Sequence, residues 1–374
     1  MSLPKENLVI VQYAGDFREA ALRLSEDGVE TYRAQRYTVD YVQSLASRYH
    51  VTTITGFTAE PYDSILPSGA RAIGAGFTDR FHAPTILDLV RKTNPDRLIL
   101  RLPNPILLRW AARKGVPTLA LLADSFPAKT LKERFKRRVI AHYLKSPNVT
   151  LVANHGRRAA RQLVDIGVPA NKVVAWDFPA QDTPHDREAK LSAQGRKILY
   201  AGLLSAAKGV DDLLHATASL KRDGKPITVD LYGKGETDRL TQLAKTLGIE
   251  AEVTFRGLVA NSEMVPAMSA ADIIVVPSRH DYSEGLPLTI YEALCSRTPL
   301  VASDHPMFLE NIEDGFSCVM FPGGNASALA TKIDGALTDA ALYSRLSANA
   351  PEAWEKIQIS LKWADVIEGW LASR

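Results

Sequence analysis

Apolar positions along the chain fall into short, β-branched runs separated by longer stretches of helical spacing. In the first half the runs are LVIVQY (8–13), VTTIT (51–55), RLILRL (97–102), PTLALLA (117–123) and VTLVAN (149–154), with ARAIGA (70–75) and KVVAW (172–176) as weaker members. Between them, residues 31–49, 84–92, 105–115 and 156–167 place apolar side chains every three to four positions, the period of one helical face. Gly115 and Gly167 stand where two of these helices should stop, each followed by Val-Pro.

The second half repeats the scheme. Strands are predicted at KILYAGLL (197–204), ITVDLYG (227–233), VTFRGL (253–258), IIVVPS (273–278), PLVAS (299–303) and SCVMFP (317–322), and helices at 210–224, 236–248, 287–297 and 328–337. Runs apolar on consecutive positions are buried on both faces, and helical connections between them make parallel sheets. The polar stretch FPAQDTPHDREAKLSAQGRK (178–197) separates the halves. The pattern therefore predicts an α/β protein of two doubly wound, Rossmann-like domains facing a cleft, residues 1–180 and 181–350. A helical tail over 351–374 follows, with Trp354, Trp363 and Trp370 spaced for burial, packing back on the first domain.

Composition narrows the class. The chain has 374 residues, enough for two cores. Its 45 basic and 42 acidic side chains nearly cancel, which argues against a nucleic-acid partner. Cys295 and Cys318 are the only cysteines, so no disulfide framework is implied and a reducing, cytoplasmic setting is expected. No run has the length of a signal peptide or a membrane span.

In such folds the chemistry lies in the turns after the strands. After 197–204, Gly202 ends a strand, Gly209 permits a tight turn, and Lys208 stands at the start of a helix, a place for an anion. A solvated loop lysine is the plainer account of Lys208. Gly233 and Gly235 in LYGKGE, and Gly257 in FRGLV, let a ligand approach the backbone, although an ordinary strand-to-helix turn would also use them. In SEGLPLTIYE (283–292), Pro287 suits the first turn of a helix, whose N–H groups near Leu288, Thr289 and Ile290 could hold a diphosphate. Glu284 and Gly285 precede that helix, and Glu292 lies roughly 7 Å along it at ~1.5 Å per residue. Two carboxylates so placed can take sugar hydroxyls on either side of the diphosphate. The spacing fits a nucleotide-diphosphate sugar.

These motifs carry a resemblance. From about residue 197 to 340 the order of elements, the Glu284–Glu292 pair and the stretch Gly202-Leu203-Leu204-Ser205-Ala206-Ala207-Lys208-Gly209 are similar to the C-terminal domain of the retaining GT-B glycosyltransferases of family 4 (glycosyl transferases group 1). The segment SEDGVETYRAQRYTVDYVQSL resembles, more loosely, that family's glycine-bearing loop and following helix. The resemblance implies a GT-B fold and a retaining hexosyltransferase. It also implies Lys208 on the donor diphosphate, Glu284 on the transferred sugar, Glu292 on the ribose and Gly28 near donor or acceptor. Leu203 stands where the family has a phosphate-binding Arg, and Asp124 where its first domain often has a His. Another cation such as Arg279 could stand in, donor binding could be weaker, or the chain could be an inactive relative.

No Asp-x-Asp triplet occurs and the histidines lack metal-ligand spacing, so neither a metal nor a cofactor is expected besides the nucleotide-sugar donor. The implied acceptor is a glycan or a lipid-linked sugar of bacterial envelope polysaccharide synthesis. A sugar-nucleotide epimerase of related fold, or a non-catalytic nucleotide-sugar binder, also fits. Residues 128–145 present Leu131, Phe135, Val139 and Tyr143 at i, i+4 spacing among Lys129, Lys132, Arg134, Lys136, Arg137 and Arg138. Such a helix either lies on anionic lipid, at the inner face of a membrane, or packs its stripe on the sheet.

Overall fold

The structure is a computed structural model that describes residues 4–13, 15–26, 28–126, 130–282 and 285–373. The chain divides into two compact units: Met1–Glu30, Ala34–Pro179 and Ile359–Arg374 form unit 1, and Thr31–Arg33 with Ala180–Gln358 form unit 2.

Unit 1 is built on eight strands: β1 (Asn7–Gln12), β2 (His50–Phe57), β3 (Pro61–Ile65), β4 (Arg71–Phe77), β5 (Arg97–Leu100), β6 (Thr118–Leu122), β7 (Val149–His155) and β8 (Val173–Trp176). Their order is β3-β4-β2-β1-β5-β6-β7-β8; only the β3–β4 pair is antiparallel. Along β1, Leu8 and Ile10 enter one core while Val9 and Val11 enter the other, so a single strand seeds both faces. The helices Ala83–Thr93, Pro105–Lys114, Leu131–Leu144 and Arg157–Asp165 connect strands as the apolar spacing predicts. Asn104 caps the second by accepting from the Ile106 and Leu107 N–H groups, and Thr130 with Glu133 makes a capping box on the third.

Two elements of unit 1 escape the apolar pattern. β3, PYDSI, is an edge strand with exposed alternate positions, and Ile65 points to solvent. The helix Phe17–Ser25 is short and polar on its outer face, capped by Asp16. The helix expected over 31–49 begins only at Gln35, after Ala34 in the left-handed region, and ends at Ser44. That late start leaves Thr31–Arg33 for unit 2.

The tail also divides differently from the expectation. Pro351 lies inside the helix Ala340–Ile357, which stays with unit 2, and only Ile359 onward joins unit 1. There the Asp177 N–H donates to the Leu361 carbonyl at 3.1 Å and the Trp363 N–H to the Asp177 carbonyl at 3.0 Å, extending the sheet edge beyond β8. Trp363 and Trp370 are buried, and the Trp370 indole N–H donates to Thr150 Oγ1 at 2.7 Å. Trp354, in the other unit, is only half-buried.

Unit 2 carries β9 (Lys197–Ala201), β10 (Thr228–Tyr232), β11 (Val253–Gly257), β12 (Ile273–Val276), β13 (Leu300–Ser303) and β14 (Val319–Phe321), all parallel, in the order β11-β10-β9-β12-β13-β14. The order reverses between β9 and β12, so the chain leaves these neighbours toward opposite sides and opens a crevice at their C-terminal ends.

Candidate functional site

The crevice is shaped by glycines. β9 runs into Gly202 and β10 into Gly233 and Gly235, whose φ values of 152°, 134° and 146° side chains rarely adopt. The two turns lie directly against each other. The Gly202 N–H donates to the Tyr232 carbonyl at 3.0 Å and the Leu204 N–H to the Lys234 carbonyl at 2.9 Å; the Gly233 N–H reaches the Gly257 carbonyl at 2.8 Å. A Cβ on Gly233 would overlap the Gly202 carbonyl, and one on Gly235 the Leu204 carbonyl. The Gly-x-Gly pair thus lets two strand ends cross in contact, leaving a backbone-lined hollow over β9, β10 and β11.

One wall of this hollow is the helix Leu288–Ser296. Pro287 is its N-cap rather than a residue of its first turn, and the Ile290 N–H is already given to the Pro287 carbonyl at 3.0 Å. The anion-binding end therefore narrows to the N–H groups of Leu288 and Thr289, which have no acceptor inside the helix. Thr289 Oγ1 donates to the Ala201 carbonyl at 3.1 Å, tying the helix start to the end of β9.

Six of the expected donor-site residues line the pocket together: Gly202, Gly233, Gly257, Leu288, Thr289 and Glu292. Gly235 stands behind it against Leu204, and Gly285 lies in the segment leading to the helix, outside the lining. Glu284 lies outside the described residues. Gly28 belongs to unit 1, where its N–H donates to the Arg23 carbonyl at 2.9 Å and its own carbonyl accepts from Arg36; a Cβ would collide with Arg23. The part of that loop that lines the pocket is Thr31–Arg33.

Lys208 is half-buried and is not in the pocket lining; its Nζ lies 4.6 Å from the Tyr282 ring centroid. It precedes Gly209, the left-handed N-cap of the helix Val210–Arg222, where a Cβ would overlap the Pro277 carbonyl. Arg279, suggested in place of the residue replaced by Leu203, is not in the pocket lining. Its guanidinium grips the buried carboxylate of Asp212 through two bonds of 2.8 and 2.7 Å. The cations that line the pocket are Arg33 and Lys234.

Arg33 is buried, its guanidinium 4.8 Å from the centroid of the Tyr291 ring. Burial pushes the Glu292 carboxyl up to about 7; the Arg33 charge opposes this shift and Asp182 adds to it. Glu292 therefore titrates near neutrality, its proton held by the low polarity around it. Sequence reasoning missed Thr31, Tyr32, Arg33 and Lys234. Lys234, between two glycines already singled out, was within reach; the other three are distant in sequence and carry no local signal.

In unit 1, Asp124 follows β6 and is half-buried, with its carboxyl pushed up to about 6 by burial against the opposing charge of Arg137. Among the described residues no group of three His, Cys, Asp or Glu side chains is gathered to hold a metal.

Two parallel α/β sheets, one with a glycine-shaped pocket at its switch point, define the GT-B class, and known structures agree. HepE of Anabaena, solved with UDP and glucose, matches 99% of this chain and 100% of its own at a TM-score of 0.66 and 17% identity. WaaG, a glycosyltransferase involved in lipopolysaccharide biosynthesis, matches 98% of this chain and 99% of its own at 0.68 and 15%. Residues 182–353 match the model of the family glycosyl transferases group 1.

Curated relatives include the alpha-D-kanosaminyltransferase of Streptomyces kanamyceticus, 32% identical over 155 residues, which are 41% of this chain and 39% of that protein. The D-inositol 3-phosphate glycosyltransferase of Rhodococcus jostii is 27% identical over 275 residues, 69% of this chain and 58% of the relative. The chain thus spans less than two thirds of the length of the curated relatives it matches.

Proposed function

We propose that the protein is a cytoplasmic, retaining and metal-independent hexosyltransferase. It takes a hexose from a nucleotide-diphosphate sugar and passes it to a glycan or lipid-linked acceptor in cell-envelope polysaccharide synthesis. The observation that carries this reading is the pocket that joins Glu292 to the helix start at Leu288 and Thr289, over a floor of glycine backbone, inside a glycosyl transferases group 1 domain. The names of the relatives, and the UDP and glucose bound to HepE, supply the chemical class of the donor.

In this reading the diphosphate sits at the helix start, where two N–H groups and the helix dipole meet its charge. Glu292 accepts from the ribose hydroxyls. As the bond to the sugar breaks, negative charge grows on the departing diphosphate, and Lys208 with the helix N–H groups stabilises it. Glu284 faces the transferred sugar. Lys234 and Arg33 supply positive charge at a pocket where Leu203 brings none.

The test is a thermal-shift screen of UDP, GDP, ADP and their common sugars, followed by transfer from the best donor to an acceptor panel. The account expects one nucleotide to stabilise the protein and its sugar to be transferred. Tight binding without transfer to any acceptor would favour a non-catalytic binder, and turnover of the sugar nucleotide without acceptor an epimerase. No stabilisation by any nucleotide would remove the pocket from the argument.

A further inference from the structure

The helix Leu131–Leu144 of unit 1 has two apolar faces. The inner one, Ile140, Ala141 and Leu144, is buried in the core under the sheet. The outer one is not packed on the sheet: Leu131 is 83% exposed and Phe135 71%, two of the most exposed large apolar side chains among the described residues. At about 100° per residue these two share one side of the helix. Lys132 and Lys136 flank them on one side, and Arg134, Arg138 and Lys145 on the other, all exposed.

The neighbouring helix Pro105–Lys114 adds to the same surface. A groove between the two helices is lined by Arg109, Arg113, His142 and Lys145. From Pro105 to Arg161 the chain holds thirteen Lys and Arg against two acids, Asp124 and Glu133, whereas the whole chain nearly balances at 45 to 42. One of those acids, Glu133, is held at the helix start by the Thr130 N–H at 3.0 Å. Exposed Lys132, Arg134, Lys136, Arg138 and Lys145 on the helix, with Arg109 and Arg113 in the groove, thus set positive charge around a small apolar ridge.

We propose that the outer face of Leu131–Leu144, with the basic groove beside it, docks on an anionic lipid bilayer. Leu131 and Phe135 enter the acyl boundary while the flanking cations meet lipid phosphates. Two side chains on a convex helix offer far less than the ~800 Å² per partner of a stable protein interface, which disfavours a second copy as the occupant. A bilayer needs only a shallow ridge with bases on both sides. The inference deepens the lipid-linked reading of the acceptor, but it is decided by binding alone, with no turnover required.

The full chain should co-sediment with vesicles of phosphatidylcholine and one-third phosphatidylglycerol, not with phosphatidylcholine alone, and less at high salt. Leu131→Ser/Phe135→Ser and Lys132→Glu/Lys136→Glu/Arg138→Glu should each weaken binding by about tenfold or more. Lys92→Glu/Lys245→Glu, elsewhere on the surface, should leave it unchanged. These sites are exposed, and near-UV circular dichroism checks that each variant folds. No binding to anionic vesicles at low salt, or equal weakening by the control pair, would overturn the proposal. A dimer that Phe135→Ser dissolves would give the ridge to a second copy and overturn it too.

Discussion

The C-terminal strand edges of the two sheets are built from opposite materials. In unit 1 the edge is a row of side chains that bind one another. Gln12 donates to Thr55 at 3.3 Å and accepts from Arg101 at 2.7 Å, Asn154 donates to the Asp124 carbonyl at 2.9 Å, and His155 meets Asp177 at 3.2 Å. In unit 2 the same edge is glycine backbone: Gly202, Gly233 and Gly235 replace side chains with crossing turns, and the space left is the pocket. A paired edge fixes specific groups in place. A bare edge admits a flat or charged ligand to the backbone itself. The family match, residues 182–353, falls on the unit with the bare edge.

Breaking each edge tests the contrast. The largest effect is expected where unit 1 is closed by the tail. Trp363→Ala removes a fully buried indole and should cost about 3–5 kcal/mol in denaturant unfolding. Next, Gly233→Ala forces a Cβ into the Gly202 carbonyl at a backbone angle alanine avoids; a loss of about 3 kcal/mol and of nucleotide binding is expected. By contrast Gln12→Ala, which removes one acceptor of Arg101 on the paired edge, should cost about 1–2 kcal/mol and leave nucleotide binding intact by calorimetry.

The most specific stability effect is one that vanishes at low pH. The Glu292 carboxyl is raised from 4.5 to about 7, so the folded protein keeps a proton that the unfolded chain has lost. Stability falls as pH rises through that window and levels off above it. Glu292→Gln removes the loss. It should be about 1–3 kcal/mol more stable than wild type above pH 7 and equal near pH 4, while binding nucleotide more weakly. A variant less stable at every pH would mean that the carboxyl is held by a structural bond.

Much of this could be read along the chain. The parallel strands declare themselves because burial on both faces forbids polar alternation, as in IIVV of β12. The glycine turns were visible as glycines at the ends of predicted strands, where both φ and the close approach of neighbouring carbonyls call for glycine. What could not be read is set by long-range partners. Nothing near Arg279 announces Asp212, and nothing near Arg33 announces Tyr291 and Glu292, so the partners of both cations show only in the fold. The stripe of Leu131–Leu144 was legible as amphipathic, but only the structure separates its buried face from its exposed one.

The central claim is that the bare edge of unit 2 receives a nucleotide diphosphate at the start of the helix Leu288–Ser296. Crystallography of the protein with its best-stabilising nucleotide tests it most directly. The account predicts diphosphate oxygens within hydrogen-bond distance of the Leu288 and Thr289 N–H groups and ribose hydroxyls on Glu292. A nucleotide lodged away from that helix, with Glu292 untouched, would contradict it.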